Sequence, residues 1–323
     1  MLNTEAIAKD AKKLLESGLK TGKKSFFKKN PDYFDAGRQC EQAAVKFRTI
    51  KAYSDAGAAY AQAGDFYAEA EQHNNAGKAY ESGAQQYYAD DKVDQSIALY
   101  QKAQYQYRLS GSHETAATLL TSAGRQIAEK DPAKSFELFD LAVQIFEDEN
   151  SSMMADDTFQ HYINALGKEK NWTKMLEVLE LRIKISTKAK KNDARNKSIL
   201  TMVIIHLSQN AVNEANDCLA RNMEQPGFDQ TQDWMLSAQL ISAYQMENDE
   251  SLQAVKKEQY FTFLPASVYG LLRSLTIVGG GGGATLQSFT NQQPKKQEDE
   301  RPMPSSQPAG DDNDDEDEDE DIL

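Results

Sequence analysis

The chain has 323 residues, is 40% hydrophobic and carries a formal net charge of −14, enough apolar material for one long core or two ordinary domains. The charge is unevenly placed: residues 294–323 hold 13 acids against three bases, residues 1–293 hold 37 acids against 33 bases, and residues 1–29 hold eight lysines against three acids. A nearly balanced body between a basic start and an acidic end excludes general nucleic-acid binding, which needs a basic face along the body.

Thr4 to Ser17 reads as a first helix, with Ile7, Ala11, Leu14 and Leu15 on one side and Gly18 and Gly22 ending it. It is amphipathic and Lys-rich, without the apolar core of a signal peptide. Residues 19–31 form a loop in which Phe26 and Phe27 are adjacent. Two neighbouring aromatics cannot both face a helical core. They are flanked by Lys23, Lys24, Lys28 and Lys29, the pattern of a loop that dips aromatics into a membrane interface under lysines placed over anionic head groups. The other reading of Phe26-Phe27 is a plug over the end of the fold. Gly18-x3-Gly22-Lys23-Lys24-Ser25 is not a phosphate loop, which needs four residues between its glycines and a preceding strand.

From residue 33 one pattern repeats. Ala36, Cys40, Ala43 and Phe47 stand at i, i+4, i+7 and i+11, one stripe down an α-helix. The columns recur as Ala56, Tyr60, Ala63 and Tyr67, then Ala76, Tyr80, Gly83 and Tyr87, then Ser96, Tyr100, Ala103 and Tyr107. Two further units follow, Ala116, Leu120, Ala123 and Ile127, then Ser135, Phe139, Ala142 and Phe146. A unit of 20 residues is one helix and a short turn, and two units make a hairpin in the size range of tetratricopeptide arrays. A hairpin cannot bury its own stripe, so the hairpins must stack.

The pattern is weaker through Tyr162, Ala165 and Met175 to Ile185. Residues 192–260 keep a helical composition but are expected to lose the 20-residue beat, with Gln225–Asp229 as a break. A last apolar helix is expected over Ser267 to Val278, then five glycines at 279–283 and an acidic, Pro-rich tail over 284–320, where disorder is expected. The predicted fold is all-α: a right-handed superhelical array of antiparallel tetratricopeptide-like hairpins with a C-terminal helical bundle as its cap. Its parts are residues 1–31 (helix and diphenylalanine loop), 32–190 (repeat array), 191–278 (bundle) and 279–323 (linker and tail).

No apolar run reaches 18 residues. Cys40 and Cys218 are the only cysteines, and nothing points to a disulfide framework, so a reducing compartment is expected. His73, His113, His161 and His206 show no metal spacing, and no nucleophile elbow, carboxylate pair or Cys-His arrangement is present. Neither catalysis nor a cofactor is expected.

Several motifs in this order resemble the soluble NSF attachment proteins, most of all the gamma form. They are Leu19-Lys-Thr-Gly22, Lys29-x-Pro-Asp-Tyr33, Gln42-Ala-Ala-Val-x-Phe47, Asp131-Pro-x-Lys134, Pro226-Gly-Phe228, the glycine run and the acidic tail ending in Leu323. The resemblance implies an adaptor that presents the SNARE four-helix bundle to the AAA+ ATPase NSF, acting peripherally on the cytosolic face of membranes. It implies that the loop of Lys23, Lys24, Phe26, Phe27, Lys28 and Lys29 touches an anionic membrane surface. It also implies that an acidic face, with Asp217, Glu224, Asp229 and Asp233 as candidates, and Leu323 engage the ATPase. Lys78, Lys102 and Arg125 are the candidate SNARE contacts. The alternative is a generic repeat scaffold of the coat or proteasome-lid type.

Overall fold

The computed structural model describes residues 2–23, 31–148 and 155–277. The loop Lys24–Lys29 and the tail with Leu323 therefore lie outside the described residues. The described elements are α1 (Leu2–Thr21), α2 (Tyr33–Thr49), α3 (Tyr53–Glu69), α4 (His73–Ala89), α5 (Val93–Leu109), α6 (His113–Ile127) and α7 (Pro132–Asp148). They continue as α8 (Ala155–Lys168), α9 (Trp172–Lys188), α10 (Asn192–Ser208), α11 (Val212–Asn222), α12 (Gln232–Gln245), α13 (Asp249–Val255) and α14 (Ala266–Ser274), with 3-10 turns at Phe228–Gln230 and Gln259–Phe263. No strand occurs among the described residues, and consecutive helices pack against each other as the expected hairpin array.

The columns read from the sequence are the core. In α2 to α7 every stripe residue is buried except Tyr87, which is half-buried. The small columns admit close neighbours. The rings of Tyr67, Tyr87 and Tyr107 lie over Gly37, Gly57 and Gly77 of the preceding helix, where a Cβ would fall 2.8–2.9 Å from a ring carbon. Burial of the ring is combined with a polar exit: Tyr67 Oη donates to Glu41 Oε2 at 2.7 Å and Tyr107 Oη to Glu81 Oε2 at 3.0 Å. These phenols satisfy their hydroxyls at the surface while their rings fill the core.

The turns repeat as well. After α3, Gln72 N–H donates to Tyr67 O at 2.8 Å and Glu71 N–H to Ala68 O at 3.0 Å, the paired bonds of a Schellman end. The residue at the turn is left-handed each time: Lys51, Glu71, Asp91, Gly111, Lys170, Lys190 and Asn210 have φ between +53° and +76°. One three-residue turn thus reverses the chain at nearly every step.

This geometry corrects one expectation. The 20-residue beat is not lost after residue 192, because α9, α10, α11 and α12 start at residues 172, 192, 212 and 232. Hydropathy hid it because polar residues stand in the columns, among them Arg182, Ser186, Arg195, His206 and Asn222.

Side-chain contacts between alternate helices define two layers. On one, α3, α5, α7, α9 and α11 are joined by ion pairs Lys102–Asp65 (3.0 Å), Lys134–Asp94 (2.6 Å), Lys184–Glu147 (2.5 Å) and Arg221–Glu180 (3.4 Å). On the other, Tyr88 Oη of α4 donates to Gln126 O of α6 at 2.8 Å, and Thr121 of α6 meets Thr158 of α8 at 2.7 Å. One apolar cluster takes in Cys40 and runs from Ala63 to Leu275, and a smaller one joins Ala11, Ala43, Phe47, Ala56 and Tyr60 at the first helices. The densest part of the larger cluster is α10, which is buried along most of its length among α9, α11, α12 and α14.

Candidate partner-binding surfaces

The three basic candidates are divided between the layers. Lys78 on α4 and Arg125 on α6 share one layer, are exposed, and have no ion-pair partner among the described residues. Lys102 stands on α5 in the other layer. Its ammonium contacts Asp65 Oδ1 at 3.0 Å and lies 5.1 Å from the centre of the Tyr80 ring. Tyr80 Oη donates to the same Asp65 oxygen at 2.7 Å. An acidic partner must compete with Asp65 for Lys102, whereas Lys78 and Arg125 are free.

Arg125 also borders a cleft that the sequence did not reveal. A cavity of about 670 Å³ opens between α6, α8 and α14. Arg125, His161 and Lys168 face it together with Glu129 and Glu169, over a floor that includes Phe139. It exists because α14 folds back on α8, where Ser267 occupies the space that a Cβ on Gly167 would need. A contact so distant in sequence leaves no local signal.

The acidic candidates lie on α11 and the following loop. Asp217, Glu224 and Asp229 are exposed, and none has an ion-pair partner among the described residues. Asp233 is different and does not belong to a surface. It is 4% exposed in the first turn of α12. Its Oδ2 accepts from Tyr260 Oη at 2.8 Å, while Oδ1 has no hydrogen-bond partner. Burial is the main cause that raises its carboxyl above the ordinary value of 3.8, and Asp193 adds to it against the opposing Tyr260 bond and Lys197. The sequence placed Asp233 beside exposed acids; the helical register turns it inward.

Lys23 is exposed at the end of α1, and the rest of the basic loop lies outside the described residues. Both thiols are buried, Cys40 pushed up to about 11 and Cys218 to about 12 by desolvation, so they stay protonated at neutral pH. Among the described residues, no helix is long and apolar enough to cross a membrane and no group of His, Cys, Asp and Glu is arranged to hold a metal.

A family model described as "Soluble NSF attachment protein, SNAP" matches residues 3–262. The chain belongs to the soluble NSF attachment protein family. Two curated members agree with this placement. The gamma-soluble NSF attachment protein of Dictyostelium discoideum is 22% identical over 263 residues, covering 81% of this chain and 81% of that protein. The gamma-soluble NSF attachment protein of Arabidopsis thaliana is 23% identical over 179 residues, 54% of this chain and 60% of that protein. In this SNAP-family chain the match ends near Thr262, within the C-terminal turn that precedes α14.

Proposed function

We propose that the protein is a non-enzymatic adaptor that binds SNARE bundles and recruits and stimulates NSF at the cytosolic face of membranes. Membership of the SNAP family over residues 3–262 is the observation that carries this reading. The surfaces support a division of labour. Unpaired Lys78 and Arg125 stand on the layer that also holds the cleft, suited to the acidic faces of a helical bundle. Unpaired Asp217, Glu224 and Asp229 stand near the other end of the described chain, suited to a basic surface of the ATPase. Asp233 is withdrawn from that contact set because it is buried. The basic diphenylalanine loop is proposed to supply the membrane contact, and Leu323 a second contact to the ATPase.

A pull-down decides the matter. The protein is expected to retain NSF only weakly alone and strongly once a SNARE bundle is present, and to raise the ATPase rate. Retention independent of the bundle, or none at all, refutes the adaptor reading.

A further inference from the structure

Arg195 breaks the repeat. It stands three residues into α10, in the column that holds small residues in most other units, such as Ala36, Ala56, Ser96 and Ala215. It is 3% exposed, and no carboxylate pairs with it among the described residues. A buried cation without a counter-ion is strongly unfavourable, and residues that break a local rule concentrate where a fold serves function. The Nε and Nη1 of Arg195 do not meet a carboxylate. Instead they reach two amide oxygens: Nε donates to Asn196 Oδ1 at 3.0 Å and Nη1 to Gln225 Oε1 at 3.3 Å.

Gln225 belongs to the loop between α11 and α12. That loop is built to be stiff. Gln225 N–H donates to Asn222 O and Phe228 N–H to Gln225 O, both at 3.1 Å. Gly227 takes φ +72°, and Phe228 is fully buried as its anchor. Glu224 and Asp229 stand exposed on either side of these fixed points. The Gln225 side chain is held from the first turn of α10 by Arg195.

We propose that Arg195 is a positioning residue: through Gln225 it ties the 223–231 loop to α10 and so holds Glu224 and Asp229 in the arrangement that a basic surface of the ATPase reads. The proposal rests on the adaptor reading above. It gives a physical reason for a guanidinium in a column that holds small side chains in most other units.

The test uses the full chain with Arg195→Met, Gln225→Ala and the double variant, beside Glu224→Lys with Asp229→Lys. Three quantities are read: amide hydrogen exchange over 225–231, the adaptor concentration for half-maximal stimulation of NSF, and the melting temperature. Each single variant is expected to speed loop exchange and raise the half-maximal concentration about tenfold, the size of one charged hydrogen bond, with the maximal rate unchanged. The double variant is expected to be no worse than either single one, because both remove the same tie. Unchanged loop exchange, or additive effects, overturns the proposal. If Arg195→Met fails to fold, Gln225→Ala alone decides. If charge reversal at Glu224 and Asp229 leaves stimulation intact, the acidic-face reading fails and the proposal with it. Faster exchange with unaltered stimulation, while charge reversal weakens it, overturns the positioning role alone.

Discussion

Glu71 takes φ +57° at the turn after α3, a conformation that places its Cβ against the backbone. A left-handed non-glycine residue costs about 1–2 kcal/mol, partly offset in a glycine variant by about 0.5–1 kcal/mol of chain entropy. Glu71→Gly is therefore expected to stabilise the protein by about 0.5–1 kcal/mol, read as a higher urea midpoint at constant slope. An unchanged or lower midpoint shows that the turn is not strained. Asp233 makes a pH prediction. Its carboxyl is raised in the folded state, so the folded chain holds the proton more tightly than the unfolded one. The stability this contributes is fully present below the unfolded value of 3.8 and is lost as pH rises through the raised folded value. Asp233→Asn removes the dependence. The variant is expected to melt higher than the parent at pH 7, with the gap closing as pH falls toward 3.8. A gap that is constant across this range points to packing instead of protonation.

The helices of the first half were legible because their column rule is simple. Small residues at the first and third columns and mostly large apolar or aromatic ones at the second and fourth give a stripe that hydropathy detects, and burial follows it at all but Tyr87. Later units follow the same geometry with arginine, serine and histidine in the columns, so the period survived in the backbone while it faded in composition. The cleft at α6, α8 and α14 and the tie from Arg195 to Gln225 join residues too far apart to leave a pattern in one sequence. Lys78, Lys102 and Arg125 were equal candidates in the sequence, and the pairing of Lys102 with Asp65, like the burial of Asp233, depends on tertiary neighbours. At this scale Ala103 offers a test. It is fully buried on α5, and Ala103→Leu is expected to destabilise by about 1–3 kcal/mol through overpacking, with the loss spreading to neighbouring units. An unaltered thermal melt means that the column does not face a neighbouring helix.

For the whole molecule, membrane and ATPase contacts are expected to separate by mutation. Burying a Phe contributes roughly 1.5–3 kcal/mol and each lysine near an anionic surface roughly 1 kcal/mol. Phe26→Ser with Phe27→Ser is expected to preserve helicity and the disassembly of soluble SNARE complexes, and to impair disassembly of liposome-anchored ones. Equal loss on both substrates, with lower helical stability, identifies the pair as a structural plug. Leu323→Ala is expected to leave melting intact and reduce stimulation of NSF while SNARE binding persists; undiminished stimulation removes Leu323 from the contact.

The ion pairs between alternate helices have a mechanical consequence. Across the thickness of the array, neighbouring helices lock through buried rings seated over glycine, contacts that act only at van der Waals range. Along its length, α3, α5, α7, α9 and α11 are linked at the surface by exposed charges, each worth about 0–1 kcal/mol and screened by salt. The layer of α3, α5, α7, α9 and α11 is therefore tied along its length by salt-sensitive links, whereas the opposite layer has the buried Thr121–Thr158 contact. Raising ionic strength is expected to loosen alternate helices on the ion-paired layer before it disturbs the packing of neighbouring ones.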